Sequence, residues 1–467
     1  MRLVLPLLVS FLASGCLARH AWPTLVERSK TDAPAILISD VSVFDGVSGT
    51  LSEHVDVVTR LDRITQVRPH GELKCEDCAI IDGTGKTLMP GLIDAHVHLT
   101  GSPAPPWHVT WPDEDHNGAA LLYSGVTTAM DVGGEREALS SLSARSKAGT
   151  WLGPDFTHAG MLITPRGGYP ASMVRELFPW PVSSLAEDKF AHQISTPEDA
   201  AKAVDANLGA GASYIKIAVA QVPLEAPVYT AELLAAVVSA AKARGVKVVA
   251  HVDTAEHALM AARAGVSVLV HGIHLGPLTE AQAAELKTLG TVVIPTLVVW
   301  DRVDQLSQHR YAPTALEREI YPADFLAYFT PEQTRQRTLP DGLMRWMQKL
   351  AADKADRVLA VKRLSDAKVP LLVGADDAGS IGCMTGAAFH EEMRLMVEAG
   401  VPLLDVLRGA TSEAGRVFGR DVGQVREGAR ADLLLLEGNP LTGLEAFSHI
   451  RTVIKGGKVI ERKPPAK

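Results

Sequence analysis

The residues best suited to chemistry in this 467-residue chain are two histidines one residue apart, His96 and His98. They sit in the run Pro90-Gly91-Leu92-Ile93-Asp94-Ala95-His96-Val97-His98-Leu99. The Pro-Gly pair is a turn signal, and the apolar residues after it read as a buried strand. Side chains alternate along a strand, so the two imidazoles point the same way. Two neutral imidazoles on one face at the end of a strand make half of a metal site. With 16 histidines in the chain, chance supplies such pairs, and the spacing by itself is weak evidence. Lys216, His251, His271 and Asp376 each stand at or near the end of another apolar stretch. Singly, each reads best as a snorkelling lysine or a satisfied core polar group. Together with the histidine pair they do not.

Elements must bring such residues together. The length exceeds one ordinary domain and suits a barrel plus a smaller domain. Short alternating segments at 35–38, 41–44, 55–58 and 63–67, punctuated by Asp45-Gly46, Gly71 and Asp82-Gly83, have the texture of a β-sandwich. Segments 431–436, 450–454 and 459–460 share it, and Gly456-Gly457 predicts a hairpin turn. Between these ends strand and helix alternate, which predicts a parallel barrel. After the histidine strand its strands fall at 125–132, 156–163, 213–219, 246–251, 266–271, 291–297 and 369–376. The C-terminal ends of parallel barrel strands converge on one mouth, where the four further residues would meet the histidine pair. The stretch 300–368 is too long for one crossover, and its helical segments are expected to overhang that mouth as a lid or partner surface. The expected fold class is α/β: a (β/α)8 TIM barrel with a small β-sandwich domain built from both chain ends. The expected divisions are a signal peptide with a lipobox cysteine (1–16), a tether (17–34), sandwich parts at 35–90 and 413–462, and the barrel at 91–412.

Composition bounds the function. Hydrophobic residues make up 46% and charged residues 21%, the balance of a soluble globular enzyme. A net charge of −8 argues against a nucleic-acid partner. No internal apolar run approaches the roughly 18 residues of a membrane span. The N-terminus differs: Arg2 and the apolar run Leu3 to Ala13 read as an export signal, and Leu12-Ala13-Ser14-Gly15-Cys16 looks like a bacterial lipobox. The expected location is therefore outside the cytoplasm, with membrane contact only through a lipid on Cys16. In such an oxidising compartment Cys75 and Cys78 are expected to form a local disulfide, while Cys383 is a single thiol.

The run Pro-Gly-Leu-Ile-Asp-Ala-His-Val-His resembles the first-strand signature of the amidohydrolase superfamily, metal-dependent hydrolases on a (β/α)8 barrel. The resemblance extends over nearly all of residues 35–460. It implies His96 and His98 on one divalent ion, His251 and His271 on a second, and Lys216 bridging both as a CO2-derived carbamate. Zinc is the first expectation for both ions. Asp376 would complete the first ion's shell and serve as the catalytic base, the nucleophile being a metal-bridging hydroxide. Ile163-Thr164-Pro165-Arg166-Gly167-Gly168-Tyr169 resembles a Gly-Gly-His loop of the imidazolonepropionase-like and prolidase-like branch, which includes Xaa-Arg dipeptidases. Tyr169 stands where that branch has histidine. Tyr229, in Ala226-Pro227-Val228-Tyr229-Thr230, resembles that branch's substrate contact, and Arg166 could grip a substrate carboxylate as a bidentate fork. His158, His257, His274 and His390 read as structural or supporting.

The leading expectation is hydrolysis of a C–N bond in a small molecule, such as the peptide bond of a dipeptide or an N-acyl amino acid. A mononuclear aminohydrolase (deaminase) or a cyclic amide hydrolase is the alternative within the superfamily. Lys216 weighs against the deaminase, which would not need it. A non-catalytic binding lipoprotein is the alternative of another class, and such a protein has no need of the full ligand set. Association with like chains is left open.

Overall fold

The computed structural model describes residues 20–29, 33–105, 107–108, 110–178, 180–337 and 339–463. The leader, including Cys16, lies outside them. Six strands come first: β1 (Val26–Arg28), β2 (Ala35–Val43), β3 (Ser52–Arg60), β4 (Arg63–Pro69), β5 (Cys78–Asp82) and β6 (Lys86–Pro90). The barrel region carries β7 (Leu92–Val97), β8 (Val126–Asp131), β9 (Asp155–His158), β10 (Leu162–Pro165), β11 (Ala191–Ile194), β12 (Ile215–Val219), β13 (Val248–Val252), β14 (Val268–Val270) and β15 (Val292–Ile294). The chain closes with β16 (Leu433–Glu437), β17 (Ile450–Lys455) and β18 (Lys458–Arg462).

Both chain ends build one nine-stranded sheet in the order β1-β18-β17-β16-β6-β2-β3-β4, with β5 added to β2. Alternating residues from both ends, among them Val41, Val57, Ile64, Leu88, Leu433 and Ile454, form its own buried core. The two halves are joined where β6 and β16 run antiparallel, Leu88 facing Leu435. The two-residue Gly456-Gly457 turn joins β17 to β18 with both φ angles positive, 56° and 72°. A side chain at Gly457 would strike the Leu61 carbonyl, so glycine is required there. Cys75 and Cys78 form the expected local disulfide on the turn leading into β5, and Cys383 is free and buried.

The stretch read as a tether contributes structure of its own. β1 pairs with β18, Leu25 and Val26 are buried, and Arg28 donates to the Gly149 and Trp151 carbonyls. Two apolar residues flanked by charge suffice for an edge strand, a signal too short to read as periodicity.

In the barrel region β11-β10-β12-β13-β14-β15 form one parallel sheet and β7-β8-β9 another. Two of the expected strands differ. The third is split into β9 and β10 at Gly160, whose φ is 73°. The eighth has no continuous ladder. Instead residues 371–377 make discrete bonds on both sides: Leu372 N–H to the Val293 carbonyl (3.0 Å), Ala95 N–H to that of Val373 (3.0 Å), and Asp376 N–H to that of His96 (2.8 Å). Asp376 and Ala378 turn left-handed at φ 56° and 58°, which ends the extended run. Those bonds link β15 to β7.

Beyond β15 lie the helices Leu297–Ser307, Ala315–Ile320, Ala323–Leu326, Pro331–Arg335, Asp341–Ala352 and Lys354–Asp366. A buried ion pair, Arg302 to Glu317 at 2.7 Å, pins the first of these to the second. The helix Asp341–Ala352 packs on the helix Ala171–Leu177, which follows the β10 loop. Among the described residues no helix is long and apolar enough to cross a membrane.

Candidate metal centre

The alternation along β7 turns His96 and the residue just beyond it, His98, to one side, and both reach Asp376. Asp376 Oδ1 lies 3.0 Å from His96 Nε2 and 3.0 Å from His98 Nε2. Asp376 is in turn 3% exposed and His96 fully buried. Lys216, the second residue of β12 and not near its C-terminal end as expected, is 2% exposed and lies among the same groups, and its amine opposes protonation of His96, His98, His251 and His271. His251 near the end of β13 and His271 just past β14 have ring centres 4.0 Å apart, and His271 is 4.7 Å from His96. The structure thus brings together all six residues expected as ligands. The neighbouring acid, Asp377, accepts the Gly386 N–H at 2.6 Å.

Backbone geometry aims these groups. His271, Asp376 and Thr296 have φ of 70°, 56° and 46°, a left-handed conformation that costs energy in residues other than glycine and clusters at functional sites. The His271 ring is held by Thr296 Oγ1, 2.9 Å from its Nδ1. His98 Nδ1 donates to the Gly133 carbonyl at 2.5 Å, which turns its Nε2 to Asp376; burial lowers this imidazole, but the hydrogen bond and charge of Asp376 more than offset that and raise it above the ordinary value. Asp94 accepts the N–H groups of His96 (2.9 Å) and Ala375 (3.2 Å), tying the two ligand-bearing segments together. Asp131 accepts the N–H groups of Leu99 and Gly133, and Ser380 donates to Asp376. Sequence spacing gave no sign of these supporting roles. Asp94 and Asp131 had one available signal, an acid inside an apolar strand.

The electrostatics fit a cation. Burial and the Lys216 charge pull His96 down to about 3, and burial pushes His251 and His271 well below the usual imidazole range. These rings are neutral at pH 7 and can offer lone pairs. Burial also lowers Lys216 to about 7, against the opposing pull of Asp376. Burial raises the Asp376 acid, but His96 and His98 more than offset this and hold it well below the ordinary carboxylate value. One carboxylate oxygen cannot share a single proton with two imidazole nitrogens at once. A cation among them satisfies all three, and tetrahedral Zn–N bonds place donors about 3.3 Å apart, close to the separations seen. His251 Nε2 is buried without a hydrogen-bond partner, which is how a ligand atom presents itself in a protein fold.

The residues expected to meet substrate separate. Tyr169 is half-buried beside this cluster, its ring 4.9 Å from that of His251 and its phenol pushed up by burial and the Asp376 charge. Tyr229 is buried, and its hydroxyl donates to the Ile163 carbonyl at 2.9 Å, so its polar end is committed to the backbone. Arg166 is exposed and its Nε donates to Ser195 Oγ at 3.2 Å, on the β11 side of the loop. A loop sequence fixes neither distance nor direction, which is why the two loop motifs did not bring these three together. His257 pairs with Asp253 (2.5 Å) and His390 Nε2 lies 2.8 Å from the Ser124 carbonyl, both supporting contacts.

Residues 87–460 match the model of the amidohydrolase family. A prolidase solved with N-methylphosphonate-L-proline is 26% identical with a TM-score of 0.74, covering 92% of this chain and 100% of its own. A putative prolidase from Bifidobacterium longum is 25% identical with a TM-score of 0.71, covering 93% of this chain and 96% of its own. A dihydroorotase from Pediococcus pentosaceus is 37% identical over 78 residues, a match that spans 17% of this chain and 17% of that enzyme.

Proposed function

The chain belongs to the amidohydrolase family and is a metal-dependent hydrolase; from that premise we propose that it cleaves a C–N bond of a small amide or peptide at a centre holding two divalent ions. The observation that carries this reading is the meeting of Lys216 with His96, His98, His251, His271 and the Asp376 carboxylate, three of those rings being held neutral by burial. His96, His98 and Asp376 would hold one ion, His251 and His271 the other. A lysine with its amine lowered to about 7 is uncharged in about half of the molecules at neutral pH, and an uncharged amine adds to CO2. The product is a carbamate, with the proton released to solvent, and its two oxygens suit two cations. Zinc fits the nitrogen-rich donor set. Bound ions would lower the pKa of water and polarise the scissile carbonyl.

The chain's own part is positioning and proton transfer. Asp376, kept ionised at neutral pH, accepts a proton from the attacking water at a carboxylate oxygen. It then returns that proton to the departing nitrogen as the C–O bond forms and the C–N bond breaks. Ser380 holds the other Asp376 oxygen and keeps the acceptor aimed. Tyr169, a neutral phenol, lies where it can orient the substrate carbonyl. The prolidase-like relatives support a dipeptide or N-acyl amino acid as a starting panel. A one-metal deaminase has no use for the buried Lys216.

The test is metal content. The purified protein is expected to carry about two zinc ions per chain, to lose amide hydrolysis on chelation, and to regain it with added metal. A folded preparation that holds one ion or none after zinc loading would falsify the two-ion reading.

A further inference from the structure

The N-terminal segment runs along the outside of the barrel and reaches its mouth. Arg28 donates to the carbonyls of Gly149 and Trp151, in the turn that leads into β9, and so lies on the side away from the mouth. Trp22 stacks on His116 at 4.2 Å and 17°. His116 is in the first turn of the helix Glu114–Tyr123 that follows β7, and a helix after a barrel strand begins at that strand's C-terminal end. His20 bonds to Asp324 at 3.0 Å, meets Phe325 at 5.3 Å and Tyr328 at 5.7 Å, both edge-on, and has a side chain 1% exposed. Those partners belong to the helices beyond β15, on the same side. Four residues before His20 stands Cys16, the cysteine of the lipobox-like run, and four residues span at most about 14 Å. A lipid on Cys16 would thus be held beside the mouth.

The mouth side also carries the exposed indoles. Trp111 and Trp180 are 67% and 80% exposed, while Trp151 and Trp300 are buried. Trp111 lies in the loop between β7 and the helix Glu114–Tyr123. Trp180 lies just before the helix Val182–Phe190, which descends to Ala191 in β11. Ala191 pairs with Leu162 at the start of β10, so the other end of that helix, with Trp180, stands toward the mouth. Phe178 and Val182 flank Trp180 and are exposed with it. Met344, also exposed, is on the helix Asp341–Ala352, which touches the helix Ala171–Leu177 just before Phe178. Scattered aliphatic residues are ordinary on a surface, as at Leu61 and Leu289, but apolar groups gathered at one end mark an interaction site. Arg175 and Arg345 on the same elements are matched by Glu187 at 2.6 Å and Glu225 at 3.2 Å.

We propose that the mouth side of the barrel rests on a phospholipid surface, with Trp111 and Trp180 seated in the headgroup layer and the leader anchoring the chain beside them. Indole rings settle at that level because one end is apolar and the N–H can stay hydrated. An anchor at Cys16 limits distance and leaves orientation free; two rings on one side of the fold supply the orientation. The metal centre then opens toward the lipid, and substrate reaches it along that surface. Because the contact is apolar, added salt is expected to leave it in place.

The test uses the full chain bound to phosphatidylcholine vesicles that carry bromine on the acyl chain near the headgroup, a short-range quencher of tryptophan emission. Wild type is expected to be quenched. The double variant Trp111→Ser with Trp180→Ser should bind through its leader, keep its circular dichroism and lose most of the quenching. Each single replacement should remove about half of it, which keeps the measurement open where the double variant does not fold. Leu289→Trp places an indole just before β15, on the far side of the barrel, and its added emission should escape the bromine. Equal quenching of wild type and the double variant overturns the proposal, as does quenching at position 289 as strong as at 111 and 180. Failure of the full chain to bind vesicles, or its release by salt, overturns it too. Self-association that the two serines abolish, without vesicle binding, would assign the surface to a second copy of the chain instead.

Discussion

The floor of the site and its surroundings are built by different means. The floor residues His96, Lys216 and His251 lie in strands, their directions set by ladder bonds, as where Lys216 faces Val249 and Ala218 faces His251 across β12 and β13. His98, His271 and Asp376 stand one step past the ladders, held by named contacts to Gly133, Thr296 and Ser380. The surrounding groups sit on loops and on the helices after β15. There Tyr169 faces the cluster, Tyr229 bonds to backbone, and Arg166 is exposed at Ser195. Strand-borne residues are placed by a repeating geometry, loop-borne ones by contacts that belong to one sequence. Chemistry is therefore fixed by the floor, and substrate choice by what stands over it.

The sharpest way to break this contrast is at Lys216. If it is only a strand residue, Lys216→Ala removes packing, costs about 1–3 kcal/mol and leaves bound metal in place. If it carries the shared carbamate, the same change should lower zinc content and turnover together, turnover by orders of magnitude, with the fold intact by circular dichroism. Added acetate or propionate with zinc is then expected to restore part of the activity, saturably, by supplying two oxygens in the vacated space. A Lys216→Ala protein that keeps both ions and near-normal turnover returns the residue to the packing class.

The same contrast explains what could be read without a structure. His-x-His on a buried strand has one outcome, because a period of two leaves no other face. Lys216 and His251 were legible because an apolar run of about five residues defines both strand and end. The eighth segment was legible in position but not in form: left-handed turns at Asp376 and Ala378 stop it from making a ladder, and nothing in Val373-Gly374-Ala375-Asp376 signals them. Asp94 escaped notice for another reason. Its partners are the N–H groups of His96 and Ala375, the latter on a segment remote in sequence. β1 was invisible because three residues have no period to detect.

A smaller effect separates the two tyrosines. Tyr169→Phe removes a hydroxyl beside His251 and Asp376, and turnover on the best amide substrate is expected to fall about tenfold with metal content unchanged. Tyr229→Phe removes a donor to the Ile163 carbonyl. Its effect should appear instead as about 1 kcal/mol of lost stability in denaturant unfolding, with turnover near wild type. The opposite result, a kinetic effect at Tyr229 and none at Tyr169, would mean that the hydroxyl of Tyr229 leaves the backbone when substrate binds.

The smallest effect expected is at Arg166, and it bears most directly on substrate class. A guanidinium that grips a substrate carboxylate does so through a planar fork, and its loss raises KM for carboxylate substrates by far more than for neutral ones. Here the Arg166 side chain is exposed, donates to Ser195 Oγ, and borders Asp188, His192 and Lys202 on the β11 side. It belongs to an open surface groove of mixed charge, where water screens any pull on a distant anion. Arg166→Ala is therefore expected to change kcat/KM by less than about twofold for an N-acyl amino acid and for its uncharged amide alike. The pair of substrates makes the measurement decisive. A KM increase confined to the free acid would show that the β10 loop swings Arg166 over the mouth when substrate arrives. In that case the loop would take part in selecting the substrate.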